Sequence, residues 1–161
     1  MKLIFTLLFL TTFWFIGWNQ GGVNDPHFNA VDNGLFGSGK EFNGSEVTSS
    51  VIQPDGKIIA VGDLIEYNDR PIHNIVRINP DGSYDESFQP GSGFEYGVKH
   101  VGIQADGKII VSGSLFSYNG TPVKGIVRLL ANGSLDTTFT CGINLTANST
   151  IYTFVIQPDN K

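Results

Sequence analysis

Hydrophobic residues fill consecutive positions, rather than alternate ones, in the most apolar stretches after residue 50. Residues 58–61 read Ile-Ile-Ala-Val and residues 109–111 read Ile-Ile-Val, while 75–78 and 126–130 are similar but contain one arginine each. Neighbouring side chains on a strand point to opposite faces of the sheet, so these runs need cover on both faces. The pattern predicts strands packed between other layers and argues against a single sheet with one face in water.

A turn motif ending in glycine lies next to each of these runs. The motifs are Pro54-Asp55-Gly56, Pro80-Asp81-Gly82, Ala105-Asp106-Gly107 and Ala131-Asn132-Gly133. Proline and aspartate favour the first part of a tight turn, and glycine accepts the positive φ that the end of the turn requires. We therefore predict antiparallel hairpins, each with a bulge at its glycine.

The sequence contains an internal repeat. Residues 52–88 align without a gap to residues 103–139, at an offset of 51, and 19 of the 37 aligned positions are identical. A third copy opens at residue 156, and Asp25-Pro26-His27-Phe28 matches the closing Asp-x-x-Phe of a repeat. We divide the chain into a secretory signal peptide (1–20), the end of a preceding repeat with a connection (21–50), two full repeats (51–100 and 101–154) and the start of a further repeat (155–161).

This organisation predicts an all-β fold made of tandem antiparallel blade repeats of about 51 residues. Copies of a four-stranded unit that cover each other on both faces are typical of a β-propeller. An ordinary β-sandwich is the alternative, although it would not require repeats this alike. A closed propeller needs about four to eight blades. We therefore expect a partial propeller that is a fragment of a longer protein or that assembles with other copies, and an isolated chain that is poorly soluble or self-associates.

The repeat resembles the delta-60 repeat family. The similar residues are Gly113-Ser114-Leu115-Phe116-Ser117-Tyr118-Asn119-Gly120-Thr121-Pro122, Ile126-Val127-Arg128-Leu129, Asn132-Gly133-Ser134-Leu135-Asp136 and Phe139, preceded by Ile103-Gln104-Ala105-Asp106-Gly107-Lys108. The first copy departs from them at Glu66 and at Asp69-Arg70, which affects a loop. The resemblance implies a module of exported or cell-surface bacterial proteins, similar to propeller blades, and it brings no established catalytic residue.

The first residues have the layout of a secretory signal peptide. Lys2 provides a positive start, Leu3 to Ile16 is apolar apart from three threonines, and Asn19 and Gln20 are polar. This run is shorter than the roughly 20 residues of a membrane-spanning helix. We predict a secreted or cell-surface protein with no membrane span after cleavage.

Charge and cysteine content exclude some classes of partner and site. The chain has 10 Lys and Arg against 15 Asp and Glu, a net charge of −5, and it contains no basic run, so nucleic acid is not an expected partner. Cys141 is the single cysteine, which permits neither an internal disulfide nor a zinc cluster. We expect it to be a buried small residue rather than a reactive thiol.

Two arginines stand at equivalent positions inside apolar strands. Arg77 and Arg128 are each followed, at the same distance, by an aspartate, Asp85 or Asp136. A buried guanidinium requires a carboxylate or carbonyl partner. We predict a structural ion pair in each repeat, with ligand recognition as the alternative.

The same aspartates are predicted to act as caps. Asp85 and Asp136 each precede a phenylalanine, and we expect them to cap a short helical turn that ends at Phe88 or Phe139. Phe28 occupies the same position at the end of the preceding, partial repeat. An aromatic ring at this position would fill the junction between blades.

Two loop features are candidates for ligand binding. Residues 81–86 are rich in oxygen ligands, but the glycine of a calcium loop is missing and the second copy replaces Asp81 by Asn132, so turn roles are favoured. Tyr67-Asn68 and Tyr118-Asn119 lie on the long loop of each repeat. They suit polar or glycan contacts, but the same residues also suit a simple turn.

No catalytic constellation emerges from the sequence. His27, His73 and His100 fall at unrelated repeat positions, and neither a nucleophile motif nor a phosphate-binding loop is present. We predict no catalytic residue, no cofactor and no metal site. The expected function is an exported non-enzymatic scaffold or interaction module with a protein or glycan partner. The alternative is part of a secreted glycan-processing propeller enzyme whose active site lies in other blades.

Overall fold

The computed structural model describes residues 42–95, 97–142, 145 and 149–159. The predicted signal peptide and the residues His27 and Phe28 lie outside these ranges. The described residues form two antiparallel sheets and a small hairpin, with no helix among them, so the all-β prediction is confirmed. In this part of the chain there is accordingly no helix that could cross a membrane.

The first sheet, called here the first blade, contains four strands. They are β1 (Phe42–Ile52), β2 (Ile58–Tyr67), β3 (Arg70–Pro71) and β4 (Ile75–Ile78). Strand β2 is central and pairs antiparallel with β1 on one side and with β4 on the other, while β3 extends the end of β2. Beyond β4, one antiparallel bridge between Ile78 and Tyr84 continues the sheet.

The second blade repeats this order. Its strands are β5 (Val98–Ile103), β6 (Ile109–Gly113) and β9 (Ile126–Leu129), with β6 in the centre. A hairpin of β7 (Ser117–Tyr118) and β8 (Thr121–Pro122) takes the place that β3 and the end of β2 have in the first blade. One antiparallel bridge joins Leu129 to Leu135. The two sheets do not close into a ring within the described residues, which is consistent with a partial propeller.

The boundaries of the two sheets differ from the repeat boundaries that the sequence alignment predicts. Strand β1 crosses the division set at residues 50 and 51, and β5 crosses the one at 100 and 101. The alignment begins at the turn motif because that motif is the most similar part of the two copies. The sheet also includes the strand before the turn, whose sequence differs more between the two blades.

All four predicted hairpin turns form with a bulge at glycine. The amide of Gly56 donates to the carbonyl of Gln53, and the amide of Gln53 donates to the carbonyl of Lys57 at 2.7 Å. The φ of Gly56 is 82°, and the glycines of the other three turns lie between 81° and 90° with the same bond pattern. These turns fix the register of the strands on either side.

Both faces of the central strands are buried, as the consecutive apolar runs predict. In β2, the side chains of Ile59 and Val61 belong to a cluster shared with the second blade, whereas Ala60 and Leu64 belong to a separate cluster on the opposite face. All four are at most 3% exposed. The shared cluster holds the blades together through burial of apolar surface.

Candidate functional site

The most elaborate polar arrangement lies at the junction between the two blades. Nε of Arg77, on β4, donates to Oδ2 of Asp85 at 2.6 Å, and Nζ of Lys57 donates to the same oxygen at 2.8 Å. The side chains of Arg77 and Asp85 are 8% and 6% exposed. The predicted ion pair of the first repeat is confirmed, with Lys57 as a third member that the sequence analysis missed.

The carboxylate of Asp85 is strongly stabilised in its charged form. Burial alone would raise the pKa of Asp85, but hydrogen bonds from Lys57, Ser87 and Arg77 outweigh burial and hold this pKa well below its usual range. Asp85 also caps a turn, because its Oδ1 accepts from the amide of Ser87 at 2.9 Å and its carbonyl accepts from the amide of Phe88. The predicted cap is therefore present, on a single turn that ends at Phe88.

The guanidinium of Arg77 also reaches across the junction. Its Nη1 donates to the carbonyl of Ala131 at 2.6 Å, in the turn of the second blade, and the amide of Gln89 donates to the carbonyl of Asn132 at 2.8 Å. The first blade therefore recognises the backbone of a specific turn. Two carbonyls of that turn, those of Ala131 and Asn132, supply the acceptors.

The ring of Phe88 completes this contact. It lies under the guanidinium of Arg77, 4.9 Å from the guanidinium carbon to the ring centroid, and it faces Gly133. A Cβ atom at Gly133 would lie 2.9 Å from a ring carbon of Phe88, closer than packed carbons normally approach. Glycine is thus required here for the fit between blades as well as for its φ of 90°.

The second blade carries the same set of side chains. Nε of Arg128 donates to Oδ2 of Asp136 at 2.8 Å, and the Arg128 guanidinium carbon lies 4.9 Å from the ring centroid of Phe139. This confirms the second predicted ion pair. The hydrogen bond from the Thr138 side chain lowers the pKa of Asp136 against the opposing effect of burial, and Arg128 lowers it further. The counterpart of Lys57 behaves differently, because Lys108 pairs with Asp106 in its own turn at 2.6 Å.

The two tyrosines considered for either ligand contacts or a turn are structural. Tyr67 and Tyr118 are 2% and 1% exposed. The hydroxyl of Tyr67 donates to the carbonyl of Gly82 at 2.6 Å, and the hydroxyl of Tyr118 donates to the carbonyl of Gly133. Burial raises the pKa of Tyr118 well above its usual value. The binding interpretation of these rings is wrong, because each ring fills the core while its hydroxyl satisfies a turn carbonyl.

The neighbouring loop residues and acids take turn roles. Asn119 has a φ of 47° and Asn68 has a φ of 50°, as tight turns require. Oδ1 of Asp81 accepts from the amide and the hydroxyl of Ser83, and Glu86 pairs with Arg70. No group of three or more potential metal ligands occurs among the described residues.

The remaining candidates are separated from one another. His73 is exposed beside the junction, while His100 lies within 3.2 Å of the hydroxyl of Ser49 and contacts the ring of Phe154. Cys141 is half-buried, so the expectation of a buried small residue is wrong. It lines a groove on the second blade.

Besides Lys57, a further junction residue escaped the sequence analysis. Asn74 is 6% exposed with a φ of 64°; its Oδ1 accepts from the amide of Leu64, and its Nδ2 donates to the carbonyl of Phe94 at 2.8 Å. Its counterpart in the second repeat is Gly125, whose φ is 62°. An asparagine aligned with a glycine in the repeat was the available signal for this left-handed position.

Comparison with protein families agrees with the geometry. Residues 53–88 and 104–139 match the family described as a domain of unknown function (DUF5122) beta-propeller. The two matched segments are the two copies of the repeat, so the repeat is of a propeller type. No curated protein and no solved structure matches the chain.

Proposed function

We propose that this protein is an exported, non-enzymatic repeat module that acts as a scaffold or interaction surface at or outside the cell envelope. The observation that carries the proposal is the use of the conspicuous polar side chains at the blade junction. Arg77 and Lys57 both donate to Asp85, and Arg77 also donates to the next blade, so these side chains build the connection between the blades. Such groups are not available to a substrate.

Export is supported by the N-terminal pattern. Residues 3–16 are apolar apart from threonines, follow Lys2, and precede polar residues, as in secretory signal peptides. The resemblance of residues 103–139 to the delta-60 repeat supports the same conclusion, because such repeats are found in exported bacterial proteins.

Two measurements test the proposal. Expression of the full chain in a bacterial host, followed by fractionation and mass spectrometry, should find it outside the cytoplasm and shortened near residue 20. The purified protein should bind members of a glycan or protein panel without converting them. Full-length chain retained in the cytoplasm would contradict export. Turnover of a glycan or peptide that is abolished by one loop substitution would instead support the enzyme alternative.

A further inference from the structure

A small hollow lies on the first blade, beside the segment that connects the two blades. Its volume is about 300 Å³, which is at the lower end of the range of small-molecule pockets. The hollow remains open although the second blade packs against the first. Packing between blades therefore leaves this space unfilled, and its lining shows what it could accept.

The base of the hollow is apolar. Ile75 and Phe88 are 0% and 2% exposed, so they form the deepest part of the lining. Pro71 is exposed and Pro90 is half-buried, and both line the sides. Carbon-bound hydrogens of a ligand gain from contact with such a surface, and one face of a pyranose ring presents a group of them.

Polar side chains surround this base. His73, Glu86 and Gln89 are exposed, and Tyr84 is half-buried. In the part of the chain that the structure describes, no hydrogen bond engages the imidazole of His73, the hydroxyl of Tyr84 or the carboxamide of Gln89. Each of these three groups can both donate and accept, as the hydroxyls of a sugar do.

The charges around the hollow favour a neutral ligand. Its lining residues include one carboxylate, that of Glu86, and no lysine or arginine. Oε1 of Glu86 pairs with Arg70, whose guanidinium carbon lies 5.1 Å from the ring centroid of Tyr84. An anionic ligand would meet Glu86 without a free counter-charge, whereas a hydroxyl can donate to the second oxygen of this carboxylate.

The connecting segment fixes one wall of the hollow. The amide of Phe94 donates to the carbonyl of His73 at 3.0 Å, and the amide of Gly93 donates to the carbonyl of Pro90 at 3.1 Å. From the second blade, the amide of Asn119 donates to the carbonyl of Gly93 at 2.8 Å. Both blades hold this segment, so the site is formed before a ligand arrives and binding orders little of the chain.

The polar rim is specific to the first blade. Ile75 and Phe88 of the base are repeated identically 51 residues later, as Ile126 and Phe139. All four polar residues of the rim differ from their counterparts, in the pairs His73 and Lys124, Tyr84 and Leu135, Glu86 and Thr137, and Gln89 and Thr140. The blade itself therefore does not require the four polar groups that converge on the hollow.

We propose that this hollow binds one pyranose unit of a neutral glycan. The apolar face of the sugar ring lies on Ile75 and Phe88. One of its hydroxyls donates to Glu86, and others exchange hydrogen bonds with Gln89 and His73. The inference rests on the proposed role as an interaction module and names a ligand class for that role.

Binding of simple glycosides to the full chain tests this inference. The probes are the methyl glycosides of glucose, galactose and mannose, each titrated near neutral pH and followed by saturation-transfer NMR. We expect at least one of them to bind saturably with a dissociation constant of about 1 mM, as suits a small ligand in an open hollow. Methyl glucuronide is the anionic probe, and it should bind more weakly than the best neutral glycoside.

Exchanges between the repeats provide matched variants, because the second blade already accepts the new residues. Glu86→Thr should weaken binding about tenfold, since a charge-assisted hydrogen bond is lost. Gln89→Thr should weaken it severalfold. Asp81→Asn is the control, because it removes the same charge from an exposed turn outside the hollow. Asn132 accepts the same hydrogen bond from Ser134 in the second blade, so this control should leave the dissociation constant unchanged.

The outcomes separate this inference from the proposed function. Absence of saturable binding by every neutral glycoside in the millimolar range, or tighter binding of the glucuronide, would overturn the inference while leaving export and the lack of turnover intact. Equal affinities in Glu86→Thr and Asp81→Asn would also overturn it. If circular dichroism shows that Glu86→Thr does not fold, Gln89→Thr decides the question in its place. Conversion of a bound glycoside would support the site but contradict the non-enzymatic role.

Discussion

Nη1 of Arg77 lies 2.6 Å from the carbonyl oxygen of Ala131, 54 residues further along the chain. The same guanidinium is bound to Asp85 within the first blade. One side chain therefore connects the ion pair of one repeat to the turn of the next. Because the guanidinium is planar and has several fixed donors, it can hold both acceptors at once, which a lysine could not do in the same geometry.

Substitution of Asp85 tests the stability of this arrangement. Asp85→Asn should lower the free energy of unfolding by about 3 kcal/mol, because it leaves Arg77 buried without its counter-charge. Urea unfolding followed by fluorescence measures the change. Glu86→Gln is the control, since Glu86 pairs with Arg70 at an exposed position and should change stability by less than about 0.5 kcal/mol. Similar losses of unfolding free energy in both variants would show that the buried ion pair contributes no more to stability than the exposed one.

The lowered pKa of Asp85 predicts a loss of stability in acid. This carboxyl has a lower pKa in the folded chain than its unfolded value of about 3.9, so the unfolded state takes up protons first as the pH falls. The contribution of Asp85 is complete above about pH 5 and decreases progressively below pH 4. Urea midpoints measured from pH 7 to pH 2.5 should fall less steeply in Asp85→Asn than in the unmodified chain. Parallel curves would exclude Asp85 as a source of the acid sensitivity.

The sequence predicted the strands and turns because local rules determine them. Consecutive apolar residues in 58–61 required cover on both faces, and the glycine of each turn required a positive φ, which the structure confirms at Gly56. The offset of 51 residues then paired Arg77 with Asp85 in one copy and Arg128 with Asp136 in the other. Because the same Arg-to-Asp spacing occurs in both copies, it predicted a specific ion pair in each repeat.

The contacts between blades could not be predicted from the sequence, because backbone atoms make many of them. The carbonyl of Ala131 carries no side-chain signal, and its role follows only from the position of one sheet against another. The sequence left Tyr67 open between ligand contact and a turn role for a related reason. A tyrosine beside a turn can bury its ring and still satisfy its hydroxyl, and only the fold shows that a turn carbonyl lies within reach.

Two glycines separate backbone strain from blade packing. Gly133 and Gly107 have similar φ values of 90° and 81°, but an added Cβ would meet the ring of Phe88 only at Gly133 and open space at Gly107. Gly107→Ala should cost about 1–2 kcal/mol, the usual cost of a side chain in the left-handed region. Gly133→Ala should cost at least 1 kcal/mol more, because Phe88 must also move. Equal unfolding midpoints would mean that the Phe88 ring moves aside without a loss of stability.

A buried hydroxyl in the second blade predicts a stabilising substitution. Ser112 is 0% exposed, and its Oγ has no hydrogen-bond partner within the described residues. The counterpart in the first blade is Val61, which is equally buried in an apolar cluster. Ser112→Val should therefore stabilise the chain by about 1 kcal/mol and raise its thermal midpoint by about 3 °C, because an unsatisfied polar group is replaced by a side chain that the same slot already accepts. Val61→Ser is the reciprocal control and should lower the midpoint, and a lower midpoint in Ser112→Val would show that the hydroxyl is satisfied in solution.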